Sequence, residues 1–329
     1  MRFARLYLFV PFLLAASLTA QQGWFPPEGG LLKYRVNQLF GKKPWTLPAG
    51  FELGEVVSVA TDSRGEVYVF HRGVNGDPLL VFDAQGKYLR SWGKGLITHA
   101  HNIRFDPQET LWITDDAGSQ ILKFSRDGKL LQTLGVKDKP GKDERSFGGP
   151  ADVAFAKNGD YYIADGNGPH RNERIVKYDK NGKFLKAWGK PGSGPGEFDV
   201  VHTLVLDSKE NLYVSDHHNN RIQIFDSNGN FIKQWTHLGP AQGLYITPKD
   251  ELFALMIRSQ EENSLSVGLA GKIMKIDLAT GNIVGSIESP GHSIHLDKDG
   301  VIWVGSLSGN ILRWAPAEST PARGRGAKK

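Results

Sequence analysis

The chain has 329 residues, a formal net charge of +5 and no cysteine. Its positive charge lies at the two ends, where the first twenty residues carry two arginines and the segment Pro316–Lys329 carries four basic residues against one glutamate. The remainder is close to neutral, which argues against nucleic acid as the main partner, because phosphate binding needs a clustered basic face. Without disulfides, the fold must depend on a large hydrophobic core.

Residues 1–20 have the pattern of a secretory signal peptide: two arginines, an apolar run over Leu6–Leu14, and small residues up to Ala20. The apolar run is too short to cross a bilayer, so the pattern predicts export and no membrane span. We expect the mature chain to start near Gln21 and to reside in the periplasm or outside the cell. Residues 316–329 are rich in Pro, Gly, Ala and basic residues and are predicted to form a disordered tail.

Between these ends, one unit of roughly 40–50 residues recurs, which is a period typical of propeller blades. Each unit contains an inner strand, a polar turn, two further strands and a glycine-containing turn before a fourth strand, which often ends in Trp-Gly. Gly and Asn in these turns suit the positive φ of tight hairpins, and the strands alternate apolar with polar residues. The copies of the inner strand begin at Val57, His101, Ala151, His202, Leu244 and His292.

Six such units predict an all-β, six-bladed β-propeller over residues 51–315. The fifth unit carries an insertion around Arg258–Leu269, and the sixth lacks its last strand. We expect the segment near Leu32–Gln38, within the N-terminal residues 21–50, to supply that strand and close the ring. The fragments GPGEF and NNRIQIFD make the units resemble NHL repeats, whose propellers serve as enzymes, RNA binders and interaction platforms.

Three histidines open the same short phrase: HNIRFD at His101, HTLVLD at His202 and HSIHLD at His292. They share one register on the inner strands of blades 2, 4 and 6. Because alternate blades of six are related by about a third of a turn, we expect the three imidazoles to point at one spot on the axis. Three neutral imidazoles with one open position are typical of a catalytic zinc site. Copper, iron and nickel are the other candidate metals, and an ordinary polar channel mouth is the alternative interpretation.

This arrangement resembles the lyase domain of peptidyl-α-hydroxyglycine α-amidating lyase, an NHL-type propeller with a three-histidine zinc site. The segments that carry the resemblance are VYVFHRG, HNIRFD, DVVHTLVLD, SDHHNNRIQIFD and GHSIHLD. The resemblance implies zinc on the three histidines and a carboxylate-binding role for Arg72, whose forked guanidinium suits a carboxylate. It also implies cleavage of a C-terminal α-hydroxyglycine into an amide and glyoxylate, with a small-molecule or peptide C-terminal substrate. We expect the protein to be a monomer.

The chain departs from the family pattern at the position of the catalytic tyrosine. Asn167 follows an Asp-Gly pair at this place, and an amide cannot act as a general base. The candidates to substitute for the tyrosine are Tyr161, Tyr162 and His170, none of which matches the family motif.

Two further positions also differ from the family. His217 stands where the family has a second arginine. A histidine can titrate near neutral pH, so His217 is a candidate catalytic acid or base, and an ordinary loop residue is the alternative interpretation. Ser293 stands where the family has an aspartate that helps to hold a structural calcium ion, so the sequence does not support calcium.

The sequence leaves two functions from different classes. One is an exported, metal-dependent lyase of the amidating type, which is favoured by the three histidines and Arg72. The other is a non-catalytic secreted propeller that binds a protein, peptide or glycan at its mouth, which is favoured by Asn167 and His217. RNA binding conflicts with the predicted export and with the neutral body of the chain.

Overall fold

The computed structural model describes residues 30–38, 45–257 and 271–317. These residues form six β-sheets and no helix, which confirms the predicted six-bladed β-propeller. In these ranges there is accordingly no helix long and apolar enough to cross a membrane. The predicted signal peptide (1–20), the fifth-blade insertion (258–269) and the tail beyond residue 317 lie outside the described residues.

The first four blades each contain four strands in simple up-and-down order, with the inner strand first. Blade 1 contains β3 (Val56–Thr61), β4 (Val67–His71), β5 (Leu79–Phe82) and β6 (Tyr88–Trp92). Blade 2 contains β7 (Ala100–Phe105), β8 (Leu111–Asp115), β9 (Gln120–Phe124) and β10 (Leu130–Gly135). Blade 3 contains β11 (Pro150–Phe155), β12 (Tyr161–Asp165), β13 (Arg174–Tyr178) and β14 (Phe184–Trp188). Blade 4 contains β15 (Val201–Leu206), β16 (Leu212–Asp216), β17 (Arg221–Phe225) and β18 (Phe231–Trp235).

The last two blades are completed from the N-terminus. Blade 5 contains β19 (Ala241–Ile246), β20 (Leu252–Ile257), β21 (Gly271–Ile276) and β22 (Ile283–Glu288), and β1 (Gly30–Leu31) runs parallel to β22. Blade 6 contains β23 (Ser293–Leu296), β24 (Ile302–Ser306) and β25 (Asn310–Pro316). Its outer strand is β2 (Tyr34–Gln38), which pairs antiparallel with β25 and closes the ring as the sequence predicts.

The core of the propeller lies between neighbouring blades. In blades 1 to 5 every residue of the second strand is buried, since each sheet is covered by a sheet on either side. Trp45, which precedes the first blade, adds to the layer between blades 6 and 1, where its ring contacts Phe82 and Trp303. Burial between blades therefore replaces the disulfides that the chain lacks.

The tryptophan that ends blades 1, 3 and 4 packs against the turn glycine of the following blade. A side chain at Gly128 would lie 2.8 Å from the ring of Trp92, and one at Gly229 would lie 2.7 Å from that of Trp188. Both glycines also have positive φ, which other residues rarely adopt. The spacing of these residues in the sequence thus reflects contact between one blade and the next.

Candidate metal centre

A β-bulge at the start of the inner strand turns His101 and His202 towards the propeller axis. In blade 2, Ala100 pairs with Asp115 and Asn102 pairs with Thr114, so His101 between them has no partner on the neighbouring strand. The same shift occurs around His202 in blade 4. A bulge re-aims the side chain of the extra residue. His292 occupies the corresponding place just before β23, where its backbone N–H donates to a carbonyl of β24.

The three imidazoles meet at one mouth of the channel. Their ring centroids lie 4.8 Å (His101–His202), 5.1 Å (His101–His292) and 5.2 Å (His202–His292) apart. The Nε2 atoms of His101 and His202 are 3.2 Å apart, and one nitrogen from each of the three rings lies within 4.8 Å of the others. Two nitrogens bound to one tetrahedral zinc are separated by roughly 3.3 Å, so these three buried histidines could hold a metal ion.

Backbone carbonyls of the blades without a metal-site histidine orient the histidines of the neighbouring blades. His101 Nδ1 lies 2.8 Å from the carbonyl oxygen of Ala151, and His292 Nδ1 lies 2.8 Å from that of Val57. Ala151 and Val57 stand at the histidine register of the next blade in each case. A carbonyl accepts only from a protonated nitrogen, so each Nδ1 carries the proton and each Nε2 lone pair is left for the axis. Backbone carbonyls commonly fix metal-binding histidines in this way.

His202 has the same neighbour, the carbonyl of Gln242, which acts to raise its pKa although no hydrogen bond of ordinary geometry forms. Burial outweighs this contact and, with the other two imidazoles, lowers the pKa of His202 well below its usual value. Burial likewise lowers the pKa of His292 to about 3. The rings are therefore neutral near pH 7, which is the state that binds a metal.

An open cavity of about 320 Å³ surrounds the three histidines. Four residues of its rim directly follow the second strand of a blade, at the end where the histidines lie. These are Arg72 in blade 1, Asp116 in blade 2, His217 in blade 4 and Leu307 in blade 6.

Arg72 lies on this rim with part of its donor set already used. Its Nε donates to the carbonyl of Ala100 at 2.8 Å, and its Nη1 lies 2.8 Å from Oε2 of Glu55. Arg72 acts to lower the pKa values of His101 and His292, so its positive charge reaches the centre. A carboxylate from the chain thus occupies the guanidinium that the family resemblance assigns to a substrate carboxylate.

A further histidine of the mouth, His99, is oriented by a buried carboxylate. His99 Nδ1 lies 2.6 Å from Oδ1 of Asp116, and Asn167 donates to the other oxygen of Asp116 at 2.9 Å. Burial acts to raise the pKa of Asp116, but its hydrogen bonds with His99 and with the backbone N–H of Ala117 act in the opposite direction, and the pKa is lowered overall. Asp116 is therefore ionised and holds the Nδ1 proton of His99, which leaves Nε2 as the proton-accepting atom.

The sequence pattern does not predict the pair formed by His99 and Asp116. His99 does not share the register of the metal-binding set, and Asp116 is the second member of a doubled aspartate in the phrase WITDDAG. That doubling was the only available signal: in blades 3 and 4 a single aspartate, Asp165 or Asp216, ends the second strand and is followed by another residue type. Asn167 is thus a hydrogen-bond donor to the carboxylate of this pair.

His217 is buried beside the centre, with its ring 5.3 Å from that of His202. Neither of its ring nitrogens has a hydrogen-bond partner among the described residues. Burial, with a smaller effect of His218, lowers the pKa of His217 to about 3. The imidazole is therefore neutral near pH 7, and not balanced between its two forms as the sequence suggested.

The other candidates for the missing tyrosine lie elsewhere. Tyr161 and Tyr162 begin β12, whereas the opposite end of that strand faces the mouth. The hydroxyl of Tyr162 donates to the carbonyl of Ser227 in the neighbouring blade. His170 is exposed on a loop and does not line the cavity.

The comparisons with known proteins agree with this architecture. Residues 198–225 match the model of the NHL repeat. Mouse peptidyl-glycine alpha-amidating monooxygenase is 34% identical over 184 residues, covering 46% of this chain and 18% of that protein. Peptidyl-alpha-hydroxyglycine alpha-amidating lyase 1 of Drosophila melanogaster is 32% identical over 175 residues, covering 45% and 32%. Human NHL repeat-containing protein 3 is 34% identical over 182 residues, covering 52% of each chain.

The match thus spans about half or less of the length of each of these relatives. Among solved structures, a streptogramin B lyase superposes with a TM-score of 0.58 at 14% identity, covering 85% of this chain and 97% of that chain. At this identity the likeness shows the fold alone.

Fold and sequence together define a six-bladed β-propeller with an NHL repeat and three converging histidines that could hold a metal ion. Within that class, the chain is similar to proteins named as amidating lyases, at about 30% identity, which confirms the predicted resemblance and supports a propeller lyase family.

Proposed function

We propose that this protein is an exported, zinc-dependent lyase that cleaves the C–N bond of a carbinolamide, as in a peptide C-terminal α-hydroxyglycine, to an amide and glyoxylate. The observation that carries the proposal is the set of three histidines, each from an alternate blade, at the base of an open cavity. The similarity to proteins named as amidating lyases supports the choice of reaction. Export and a monomeric state belong to the proposal and rest on the sequence.

The donor set suits zinc. All three ligands are neutral imidazoles, and two of them donate Nδ1–H to backbone carbonyls. Zinc accepts such a set and leaves a fourth position for a substrate oxygen. When bound, it would supply one kind of chemistry, which is to lower the pKa of the hydroxyl that it holds.

The chain's own residues then have separate tasks. Arg72 binds the substrate carboxylate by exchanging Glu55 for it, which fixes the carbinol carbon over the histidines. His99, oriented by Asp116, accepts the hydroxyl proton on Nε2. As the carbinol C–O bond becomes a carbonyl, the C–N bond breaks and its electron pair stays on nitrogen. His99 returns the proton to that nitrogen, so the reaction needs no oxidant or further reactant.

His217 offers the substrate a neutral imidazole. Both of its nitrogens lack partners among the described residues, and the ring lies at the cavity wall. It can donate or accept one hydrogen bond, but it cannot bind a carboxylate through two parallel bonds as an arginine does. We therefore assign carboxylate recognition to Arg72 and a single hydrogen bond to His217.

The first test is the metal content of the purified protein, compared with a His202→Ala variant and with His170→Ala as the matched control. We expect about one zinc per chain in the wild type and in the control, and loss of the metal in His202→Ala. Elemental analysis separates zinc from copper, iron and nickel. A metal-free wild type, or full metal content in His202→Ala, would refute the centre.

The second test is the turnover of α-hydroxyhippurate, followed by the glyoxylate released. We expect turnover in the wild type and in His170→Ala, and loss of turnover in His202→Ala. A wild type that holds stoichiometric metal but releases no glyoxylate would favour the alternative, a non-catalytic propeller that binds a protein, peptide or glycan at its mouth. The observation that favours this alternative is the similarity to NHL repeat-containing protein 3, whose name specifies no enzymatic activity.

A further inference from the structure

Below the histidines, the channel is narrowed by small polar residues of the inner strands. The cavity that reaches down between them has a volume of about 10 Å³, which is enough for about one water molecule. The residue that follows the histidine register on each inner strand is small or polar in every blade. In blade order these residues are Ser58, Asn102, Asp152, Thr203, Gly243 and Ser293.

Asp152 is the only one of these six residues with a carboxylate, and its oxygens are fully engaged. Arg104 reaches it from blade 2 through two parallel hydrogen bonds, from Nε at 2.9 Å and from Nη2 at 2.7 Å. The Asp152 side chain is completely buried. Four more donors bind it: the side chains of Asn102 (2.8 Å) and Thr203 (2.7 Å) and the backbone N–H groups of Val153 (2.9 Å) and Leu204 (3.2 Å).

The network extends from this ion pair to most of the ring. Arg104 also donates to the carbonyl of Leu244 in blade 5 at 3.1 Å. Asn102 accepts from the hydroxyl of Ser58 in blade 1 at 2.6 Å. Blades 2 to 5 are therefore joined at the axis through one guanidinium and one carboxylate, and Asn102 connects blade 1 to the same network.

We infer that Arg104 is the resident cation of the axial channel and that its pairing with Asp152 takes the place of a bound divalent ion there. A calcium ion needs six to eight oxygen ligands. At this level it would lie beside the guanidinium and would compete for carboxylate oxygens that six donors already occupy. Ser293 offers only a neutral hydroxyl, which is buried and without a hydrogen-bond partner among the described residues.

The residues of the channel therefore do not fit the calcium ion that the family resemblance implies. The inference concerns only Arg104 and its partners, and it holds whatever reaction the mouth carries out. Its tests accordingly use stability and metal content, and no activity.

The wild type provides the first arm of the test. We expect no stoichiometric calcium in the purified protein and no change in melting temperature when calcium is added at millimolar concentration. Bound calcium at one per chain, or a clear rise in the melting temperature with calcium, would overturn the inference.

The second arm is a pair of variants. Arg104→Met leaves the carboxylate of Asp152 buried and uncompensated, so we expect the melting temperature to fall by on the order of 10 °C. The double variant Arg104→Met, Asp152→Asn removes that charge, and we expect it to recover a good part of the loss. If Arg104→Met does not fold, the double variant and Arg104→Lys, which keeps the charge but not the fork, carry the comparison.

We also expect calcium to raise the melting temperature of Arg104→Met, since the vacated carboxylate then lies beside the neutral hydroxyl oxygen of Thr203. The double variant is the matched control and should not respond. An Arg104→Met protein as stable as the wild type, or one indifferent both to calcium and to the removal of Asp152, would overturn the inference.

Discussion

The role assigned to Arg72 can be tested by replacing it with methionine, which keeps the length of the side chain and removes its donors. A charged hydrogen bond contributes about 1.5–3 kcal/mol, and 1.4 kcal/mol corresponds to a tenfold change in an equilibrium constant. Arg72→Met should therefore raise the KM for α-hydroxyhippurate by about 10–150-fold. Because the carboxylate is bound before and during the reaction, kcat should change much less.

The contact between Arg72 and Glu55 provides a matched control, a Glu55 variant in which the KM should change in the opposite direction. Glu55 is half exposed, so its ion pair with Arg72 contributes no more than about 1 kcal/mol. Glu55→Gln removes the carboxylate that competes with the substrate, and the KM should fall by up to about fivefold. For the same reason, neither variant should lower the melting temperature by more than a few degrees.

The assay compares α-hydroxyhippurate with the analogue whose carboxylate is converted to a primary amide, at equal and verified metal content. The wild type should discriminate strongly between the two, and Arg72→Met should not. An unchanged KM for the carboxylate substrate in Arg72→Met would refute the assignment. An equal loss on both substrates would show instead that Arg72 supports the shape of the mouth.

Three further predictions concern the scaffold. Burial lowers the pKa of His295 to about 3, so its neutral form contributes stability that is complete above about pH 6.5 and is lost as the pH falls towards 3. In urea unfolding, the difference between the wild type and His295→Gln should therefore shrink from pH 7 to pH 4. A side chain at Gly166 would lie 2.7 Å from the backbone nitrogen of Val201, so Gly166→Ala should displace the start of β15 and weaken metal binding in a titration. Asp216→Asn leaves the buried guanidinium of Arg221, now 2.7 Å from the carboxylate, without its charge partner and should cost about 3–5 kcal/mol in chemical denaturation.

The sequence could predict the propeller because each blade packs against its neighbours in the same way and therefore repeats the same pattern of residues. A period of two along each strand, a glycine in each turn and a tryptophan at the end of a blade are local requirements, so they appear at regular spacing. The recurrence of His101, His202 and His292 at one register then placed them on alternate blades. Their meeting on the axis needs no more than the symmetry of six blades.

What the sequence could not predict depends on contacts between blades. Strand alternation alone does not reveal the bulges, since a bulge is a change of pairing with the neighbouring strand. The carbonyls of Val57 and Ala151 carry no sequence signal, because any residue provides one. The pair of Arg104 and Asp152 joins residues 48 positions apart, and only the folded ring brings them together.

Asn167 shows how this limit affects the interpretation of function. In the sequence it counts as the loss of a catalytic tyrosine, because an amide cannot take up a proton. In the structure its amide donates to Asp116, and the other oxygen of that carboxylate holds His99 at the mouth. In the proposed function, His99 of blade 2 is therefore the group that accepts a proton, in place of a tyrosine from blade 3. A comparison position by position detects only the loss, since the compensating residues lie 51 and 68 positions away in the chain.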